Sequence, residues 1–225
     1  MSTDDGTLDP VIAVVGGTGG LGRALHREFE RRGATVVALS RSTTPSIDVR
    51  NHRAGDALVE HGVGRHGRLD AVVVASGIVA FGDLADTDDV VIEELLLVNA
   101  MGPLWLARRC LPALAASKGC FVAITGVVAE TPQAGMAAYS SSKAALAAGL
   151  AAVRREFRRQ GVAVIDARPP HTETGLATRP LAGVAPRLPA GLEPAAVATL
   201  IADAVAQRRD EIPSSAVGWS GCRIG

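Results

Sequence analysis

The sequence predicts an α/β fold in which helices flank a doubly wound parallel sheet within a single domain. Short runs of β-branched and other apolar residues alternate with segments of helical pattern along most of the chain. The first run, Val11–Val15, is apolar at every position, which is typical of a strand buried on both faces. A chain of 225 residues with 48% hydrophobic residues is long enough to bury a large core.

A glycine-rich turn follows this strand and leads into a helix. Gly16, Gly20 and Gly22 fall in a G-x-x-x-G-x-G spacing. Residues without a Cβ allow a tight turn close to a ligand, and the helix opening at Leu21 directs unpaired N–H groups at an anion. The same spacing occurs in turns that bind nothing. We interpret it as a phosphate-binding turn with these cofactor contacts: Gly16, Thr18, Gly19, Gly20 and Leu21.

Apolar periodicity predicts the elements of the first half. The first helix carries Leu21, Leu25 and Phe29 at four-residue intervals and ends at Gly33, a residue type common at helix C-termini. A second strand covers Thr35–Leu39. It is followed by a short third strand at residues 46–49, a weakly patterned helix at 54–61 and a buried fourth strand at 69–75.

The second half begins with a long apolar helix, predicted from Thr87 as N-cap to Leu114. The helix that carries Tyr139 continues to about Gln160, and Pro194–Gln207 is the last helix. The remaining segments are a fifth strand at 119–125, a sixth strand at 162–167 and a mobile loop without clear period at 171–192.

The end of the second strand discriminates between nucleotide cofactors. Ser40 and Arg41 follow it at the carboxyl edge of the sheet, where ligands of doubly wound folds bind. An acidic side chain there would bind ribose hydroxyls, whereas a hydroxyl followed by arginine offers donors to a 2′-phosphate. We expect NADP(H) to be favoured over NAD(H), the alternative being that Arg41 is an exposed loop cation. Further expected cofactor contacts are Asp48, as an acceptor for the adenine amine, Val49, Ala75, Ser76 and Gly77.

Three polar residues stand out within apolar helical segments. Asn99 lies between leucines and alanines, and a buried amide needs partners. It is therefore either a satisfied core residue that fixes a kink or part of a polar site. Tyr139 and Lys143 are four residues apart, which places the phenol and the ammonium on one helix face.

The order and separation of these motifs resemble the short-chain dehydrogenase/reductase family from about Val11 to Gln207. The resemblance implies a Rossmann-type fold, a bound NAD(P) and reduction of a carbonyl, or oxidation of the alcohol, in a small-molecule substrate. It implies that Tyr139 donates or accepts the proton, that Lys143 holds the nicotinamide ribose and lowers the tyrosine pKa, and that Asn99 supports a proton-relaying water. It also implies cofactor contacts by Pro169, Thr172 and Thr174.

One departure from the family pattern concerns the chemistry. Gly126 stands where the family has the serine that donates a hydrogen bond to the substrate oxygen, and losing such a donor typically costs about 10²–10³ in rate. The neighbouring Thr125 points to the opposite strand face unless a local bulge turns it. The chain is thus identified as a divergent member. It is a slow reductase, a reductase whose substrate brings its own donor, a non-redox cyclase, isomerase or lyase, or a dinucleotide-sensing or structural subunit.

Two other departures concern loops. Residues 74–77 replace the family's Asn-Asn-Ala-Gly with Val-Ala-Ser-Gly, and the usual Pro-Gly turn is Pro169-Pro170, followed by His171. His171 is either a substitute acid or a loop residue without a role. The tail from residue 210 lacks the family's glycine-rich seventh strand, and Trp219 is expected to pack differently.

Composition limits the other classes of function. The 23 basic and 23 acidic residues balance, so no global field attracts nucleic acid or an anionic membrane, and no apolar run approaches eighteen residues. Cys110, Cys120 and Cys222 form no CxxC pair and share no metal-ligand spacing with the histidines, which predicts reduced thiols, a cytoplasmic location and no metal. We expect a flexible leader at residues 1–10, one domain at 11–225, and a homodimer or homotetramer paired through the apolar helices.

Overall fold

A computed structural model describes residues 9–217 of the chain. These residues form one six-stranded, fully parallel sheet with the order β2-β1-β3-β4-β5-β6, with helices packed on both faces. The strands are β1 Val11–Val15, β2 Thr35–Leu39, β3 Ala71–Val74, β4 Cys120–Ile124, β5 Ala163–Ala167 and β6 Glu211–Ile212. The helices are α1 Gly20–Arg31, α2 Ala54–His66, α3 Asp89–Leu96, α4 Gly102–Ser117, α5 Ala137–Phe157 and α6 Pro194–Gln207.

The predicted doubly wound α/β architecture is confirmed, and alternation along the strands divides its core into two layers. Ile12 and Val14 pack on α1 and α6, whereas Val11, Ala13 and Val15 pack with residues of α2, α4 and α5. Because β1, β3, β4 and β5 all run in one direction, their carboxyl ends lie along one edge of the sheet. The loops that follow these strands form the candidate site.

The predicted strand at residues 46–49 is wrong. The segment makes a single isolated bridge between Ser40 and Ser46 and then enters a turn. The Ile47 amide donates to the Ser40 carbonyl at 2.8 Å, but the chain turns at Asp48: its Oδ1 accepts from the Arg50 amide at 3.0 Å, and its carbonyl accepts from the Asn51 amide at 3.0 Å. Apolar alternation over four residues was outweighed by this turn chemistry.

A short strand that the sequence analysis did not predict follows the last helix. Glu211 and Ile212 form a short strand that pairs in parallel with Asp166 and Ala167 of β5. Ile212 is buried against the sheet, which explains why so short a segment adds to the edge. Trp219 and the leader up to residue 8 lie outside the described residues.

The long apolar helix predicted from Thr87 begins two residues later. Asp88 is the N-cap residue of α3, while the Thr87 hydroxyl donates to the Asp83 carbonyl at 2.9 Å. A π-helical turn, Leu97–Met101, joins α3 to α4. The continuous stretch Asp89–Ser117 is long and apolar enough to cross a membrane by length and composition, but about half of it is buried inside the fold, where it contacts α2 and α5. The buried core helix of a folded domain has the same length and apolar composition, so these two properties are weak evidence for a membrane span.

Candidate active site

The glycine turn lies between the ends of β2 and β3. Gly16 has a φ of +83°, and its amide donates to the Leu39 carbonyl at 2.8 Å. A Cβ at Gly16 would lie 2.7 Å from the Ser76 amide nitrogen, which is closer than side chains approach backbone atoms. Glycine is therefore required here by the packing of the turn on the loop after β3 as well as by the backbone conformation.

The loop after β5 approaches the same turn from the other side. A Cβ at Gly20 would lie 2.6 Å from the Thr174 carbonyl oxygen. Thr174 is held by its own amide, which donates to the Thr172 carbonyl at 2.7 Å, and the Thr172 hydroxyl donates to the Pro170 carbonyl at 3.0 Å. The structure thus brings the predicted contacts Thr172 and Thr174 to the predicted phosphate turn.

The end of β2 presents an exposed cation, Arg41, whose charge contributes to lowering the pKa of Asp48 after the larger effect of Arg50. Arg41 is exposed and makes no ion pair with any residue in the range 9–217, whereas Ser40 is buried and its hydroxyl lies 3.0 Å from that of Ser42. Asp48 accepts three side-chain hydrogen bonds from Arg50, which hold the pKa of its carboxyl below the ordinary value. The predicted adenine acceptor is therefore already engaged, and the Val49 side chain is buried in the core.

Asn99 is a satisfied core residue at a helix irregularity, the first of the two alternatives that the sequence left open. Its side chain is buried in the π-helical turn and clamps residue 78: Oδ1 accepts from the Ile78 amide at 3.0 Å, and Nδ2 donates to the Ile78 carbonyl at 2.9 Å. Nδ2 also donates to the Ser142 hydroxyl at 3.1 Å, which in turn donates to the Tyr139 carbonyl at 2.7 Å. Asn99 is thus a satisfied residue at a helix irregularity, and it ties the loop after β3 to the helix that carries Tyr139.

Tyr139 lies in the first turn of α5 and Lys143 in the second. Their four-residue spacing places both side chains on one face of the helix. Lys143 is buried and its Nζ donates to the carbonyl of Ile124, the last residue of β4, at 2.8 Å. Nζ is 5.9 Å from the centroid of the Tyr139 ring. A Cβ at Gly77 would lie 3.4 Å from Nζ, so the absent side chain leaves the ammonium open toward the loop after β3.

Burial decides the protonation of both groups. It raises the pKa of Tyr139 to about 12 and lowers the pKa of Lys143 to about 8, the latter partly opposed by the Asp166 carboxylate. The expectation that Lys143 lowers the pKa of Tyr139 is therefore wrong for the protein without ligand. The desolvation of the phenolate outweighs the attraction of an ammonium that is bound to a carbonyl and itself loses charge readily.

The hydroxyl nearest in sequence to Gly126, that of Thr125, is engaged within the described chain. The Thr125 side chain is fully buried, and its hydroxyl donates to Asp166 Oδ1 at 2.5 Å. Gly126 has a φ of +81°, and its amide donates to the Ala167 carbonyl at 3.2 Å. The amide of Val127 donates to the Pro169 carbonyl at 3.0 Å.

A network of charges that sequence reasoning missed supports the loops on either side of Gly126. Asp166, buried in β5, accepts from Arg168 Nε at 2.7 Å, and Arg168 Nη1 donates to Glu130 at 2.9 Å. Glu130 also accepts from the Ser214 hydroxyl at 2.6 Å. An aspartate inside an otherwise apolar strand was the signal that could have revealed this network, because a buried carboxylate needs partners.

The observed residues fit a dinucleotide, although no ligand is present. The Ser76 hydroxyl beside the glycine turn is buried and has no hydrogen-bond partner within the described chain. Gly19, the N-cap of α1, makes no side-chain cap and the first turn has no acidic residue, so the helix N–H groups remain available to an anion. Lys143 uses one of its three N–H donors on Ile124.

Comparison with known proteins gives the family. A model described as short chain dehydrogenase matches residues 10–182. The chain belongs to the short-chain dehydrogenase family.

Individual relatives are distant. The chain is 28% identical over 197 residues to a dehydrogenase/reductase SDR family protein 7-like from Anopheles gambiae, covering 77% of this chain and 62% of that protein. It is 33% identical over 163 residues to a short-chain dehydrogenase from Penicillium ochrochloron, covering 66% of this chain and 60% of that protein. The matches therefore span about three fifths of these relatives' length.

Solved structures show the same fold. A short-chain dehydrogenase from Streptomyces avermitilis superimposes with a TM-score of 0.81 at 24% identity, covering 92% of this chain and 88% of that chain. An alcohol dehydrogenase from Thermococcus sibiricus, solved in complex with 5-hydroxy-NADP, gives a TM-score of 0.81 at 20% identity, covering 93% and 98%. Fold neighbours of this short-chain dehydrogenase thus bind nicotinamide dinucleotides.

We expect stability of the ligand-free protein to depend on the charge of Lys143. Its folded-state pKa of about 8 lies below the ordinary 10.5, so the unfolded chain binds more protons between these values, and stability rises with pH through that window. Urea unfolding at pH 7.5 and 9.5 measures the rise, to which Lys143 should contribute about 2 kcal/mol. The raised pKa of Tyr139 has the opposite effect, a fall in stability with pH, but only above about pH 10.

In the Lys143→Met variant, the free energy of unfolding should rise less between pH 7.5 and 9.5, because the contribution of Lys143 is lost. Lys118→Met removes the other lysine, which is exposed, and serves as the matched control. In this variant, the free energy of unfolding should rise with pH as it does in the unmodified protein. An equal rise in the free energy of unfolding in Lys143→Met and in the unmodified protein would contradict the lowered pKa of Lys143.

Proposed function

We propose that this short-chain dehydrogenase is an NADP(H)-dependent oxidoreductase that reduces a carbonyl, or oxidises the corresponding alcohol, in a small-molecule substrate. The observation that carries the proposal is the placement of Tyr139 and Lys143 on one face of α5, with Nζ bound to the end of β4 and facing Gly77. The bound cofactor supplies the hydride chemistry, and the chain orients it.

Residues of this chain would hold the cofactor and move the proton. The amides at the start of α1 would bind the pyrophosphate, and the Ser76 hydroxyl would find a partner there. Tyr139, whose raised pKa keeps its proton at neutral pH, would donate that proton to the substrate oxygen. Lys143 has a pKa near 8 and two N–H donors not used by Ile124, so it can bind ribose hydroxyls and return a proton toward the phenol.

The preference for NADP(H) rests on Arg41. Its guanidinium is exposed at the end of β2 and has no ion-pair partner among residues 9–217, so it is available for bidentate binding of a 2′-phosphate. The neighbouring carboxylate, Asp48, is neutralised by Arg50, which reduces the repulsion that a phosphate would meet.

The Tyr139→Phe variant tests the proposed chemistry. It removes the proton donor and keeps the apolar packing of the ring, so reduction of a panel of aldehydes and ketones should fall by about 10²–10⁴, followed as loss of NADPH absorbance. Affinity for NADPH, measured by fluorescence titration, should change less than about threefold. Equal turnover in both proteins would contradict the assignment of the phenol.

Cofactor choice is tested by Arg41→Asp. We expect the Kd for NADPH to rise by at least about tenfold and the Kd for NADH to change little, because only NADPH carries the 2′-phosphate. Arg155→Asp, at the far end of α5, makes the same charge change away from the site and should leave both constants unchanged. Equal weakening of the two cofactors by Arg41→Asp would remove the preference.

Gly126 favours a second candidate function, a non-redox cyclisation, isomerisation or elimination on the same fold. Without a second donor, the site stabilises a developing oxyanion less well. A comparison of Gly126→Ser with Gly126→Ala separates the two functions, since both variants carry the same strain of a side chain at positive φ, about 1–3 kcal/mol. The space is sufficient, because a Cβ would lie 3.7 Å from the Pro169 carbonyl.

For a reductase, Gly126→Ser should exceed Gly126→Ala in kcat/KM by at least about tenfold, because only the serine restores a donor to the substrate oxygen. Turnover absent from the unmodified protein and from both variants, while NADPH still binds, would favour the non-redox function.

A further inference from the structure

Asp166 is a carboxylate in an otherwise apolar strand, on the face of the sheet that α5 covers. Val164, two residues earlier in β5, packs in the same core layer as Leu146 and Leu150 of α5. Because side chains two residues apart on a strand share a face, the Asp166 carboxylate points to the same side of the sheet, where it is 1% exposed. It lies near the carboxyl end of β5, beside the end of β4 to which Lys143 is bound.

A short series of bonds leads from this carboxylate to the ammonium. Asp166 Oδ1 accepts from the Thr125 hydroxyl at 2.5 Å. Thr125 directly follows Ile124, whose carbonyl accepts from Lys143 Nζ at 2.8 Å. The residue that binds the carboxylate and the carbonyl that binds the ammonium are therefore joined by one peptide bond, at a point where the sheet and α5 meet.

Within the described chain, the other elements around Lys143 supply no buried counter-charge. On its own helix the titratable group nearest in sequence is the Tyr139 phenol, which is neutral near pH 8 because burial raises its pKa to about 12. The glycine turn at residues 16–22, the loop at residues 75–82 and the π-helical turn contain no titratable side chain. α3 and the loop after β5 carry charged side chains that are at least partly exposed, where solvent and salt screen them: Asp89, Glu93, Glu94, His171, Glu173, Arg179 and Arg187.

Arg168 neutralises the charge of Asp166 only in part. Its Nε donates to Asp166 Oδ2 at 2.7 Å, while its Nη1 pairs with Glu130 at 2.9 Å and its Nη2 with Glu211 at 3.3 Å. One guanidinium thus faces three carboxylates. The negative charge that remains at Asp166 opposes the fall that burial causes in the pKa of Lys143.

We propose that Asp166 is a positioning residue for the candidate site, whose carboxylate supplies the buried negative charge that keeps the ammonium of Lys143 protonated at the end of β4. This inference rests on the proposed oxidoreductase function and deepens it. A charged Lys143 is the form that binds ribose hydroxyls through its N–H donors and returns a proton toward Tyr139. Asp166 therefore acts on the chemistry through Lys143, without touching cofactor or substrate.

The two lysines of the chain make a direct test possible. In protein prepared with isotope-labelled lysine, NMR shows two lysine side chains, and Lys118→Met identifies the signal of Lys143. Titration of the ligand-free protein should give a pKa of about 8 for Lys143. In Asp166→Asn this pKa should be lower by about one pH unit, because the amide still accepts from the Thr125 hydroxyl but carries no charge.

Two control variants separate the charge of Asp166 from its other effects. Glu130→Gln makes the same change, carboxylate to amide, at a partly exposed partner of Arg168. Thr125→Val removes the hydroxyl that binds Asp166 and leaves the charge. Each should shift the pKa of Lys143 by less than about 0.3 pH unit. An unchanged pKa in Asp166→Asn, or an equal shift in either control, would overturn the proposal.

If Asp166→Asn does not fold because Arg168 is left without its buried partner, Arg168→Gln is compared with the double variant Asp166→Asn/Arg168→Gln. Both lack the cation, and the pKa of Lys143 should again be lower by about one pH unit in the double variant. Equal pKa values in these two proteins would overturn the proposal.

The titration needs neither cofactor nor substrate, so its outcome is independent of turnover. A lowered pKa in Asp166→Asn without reduction of any carbonyl supports the role of Asp166 although the proposed reductase fails. Carbonyl reduction with an unchanged pKa overturns the role of Asp166 and leaves the reductase intact. Where both hold, the pH above which kcat/KM for reduction falls should be lower in Asp166→Asn than in the unmodified protein.

Discussion

The hydrogen bond from the buried ammonium of Lys143 to the Ile124 carbonyl is the interaction on which the candidate site depends. It joins the helix α5 to the carboxyl end of β4, and thereby places Tyr139 beside the loops that follow β3 and β5. A single carbonyl compensates little of the hydration that the ammonium loses, so the pKa of Lys143 falls to about 8. The anchor of α5 is consequently also a group that changes charge near neutral pH.

The residue type at this position has a physical reason. The chain contains two lysines and 21 arginines, so arginine is its usual cation. An arginine at residue 143 would keep its charge under any burial, and its planar fork would not fit a single carbonyl. Asn99 complements the anchor, because it holds residue 78 and, through Ser142, the first turns of α5. Loop and helix are thus fixed relative to each other by buried amide and hydroxyl groups.

The sequence predicts those features that depend on a clear local pattern, and fails where local turn chemistry competes with that pattern or where partners come from distant segments. Apolar runs and the glycine spacing predict the sheet and the turn, and the four-residue spacing predicts that Tyr139 and Lys143 share a face. The segment at residues 46–49 shows apolar alternation, yet the chain turns at Asp48, whose side chain accepts from the Arg50 amide. The tyrosine pKa could not be foreseen, because the burial that raises it comes from the loops around residues 80 and 180, far away in sequence.

Gly126 shows how backbone and chemistry are connected at this site. With a φ of +81°, its backbone adopts a conformation that disfavours any residue with a side chain, so glycine at this position and the shape of the turn belong together. The turn is fixed on both sides: the amides of residues 126 and 127 bind the carbonyls of Ala167 and Pro169, and Glu130 binds Arg168. A serine introduced at residue 126 therefore adds a hydroxyl at the expense of backbone strain. An alanine carries the same strain without the hydroxyl, which is why the alanine variant is the proper reference for the effect of the serine.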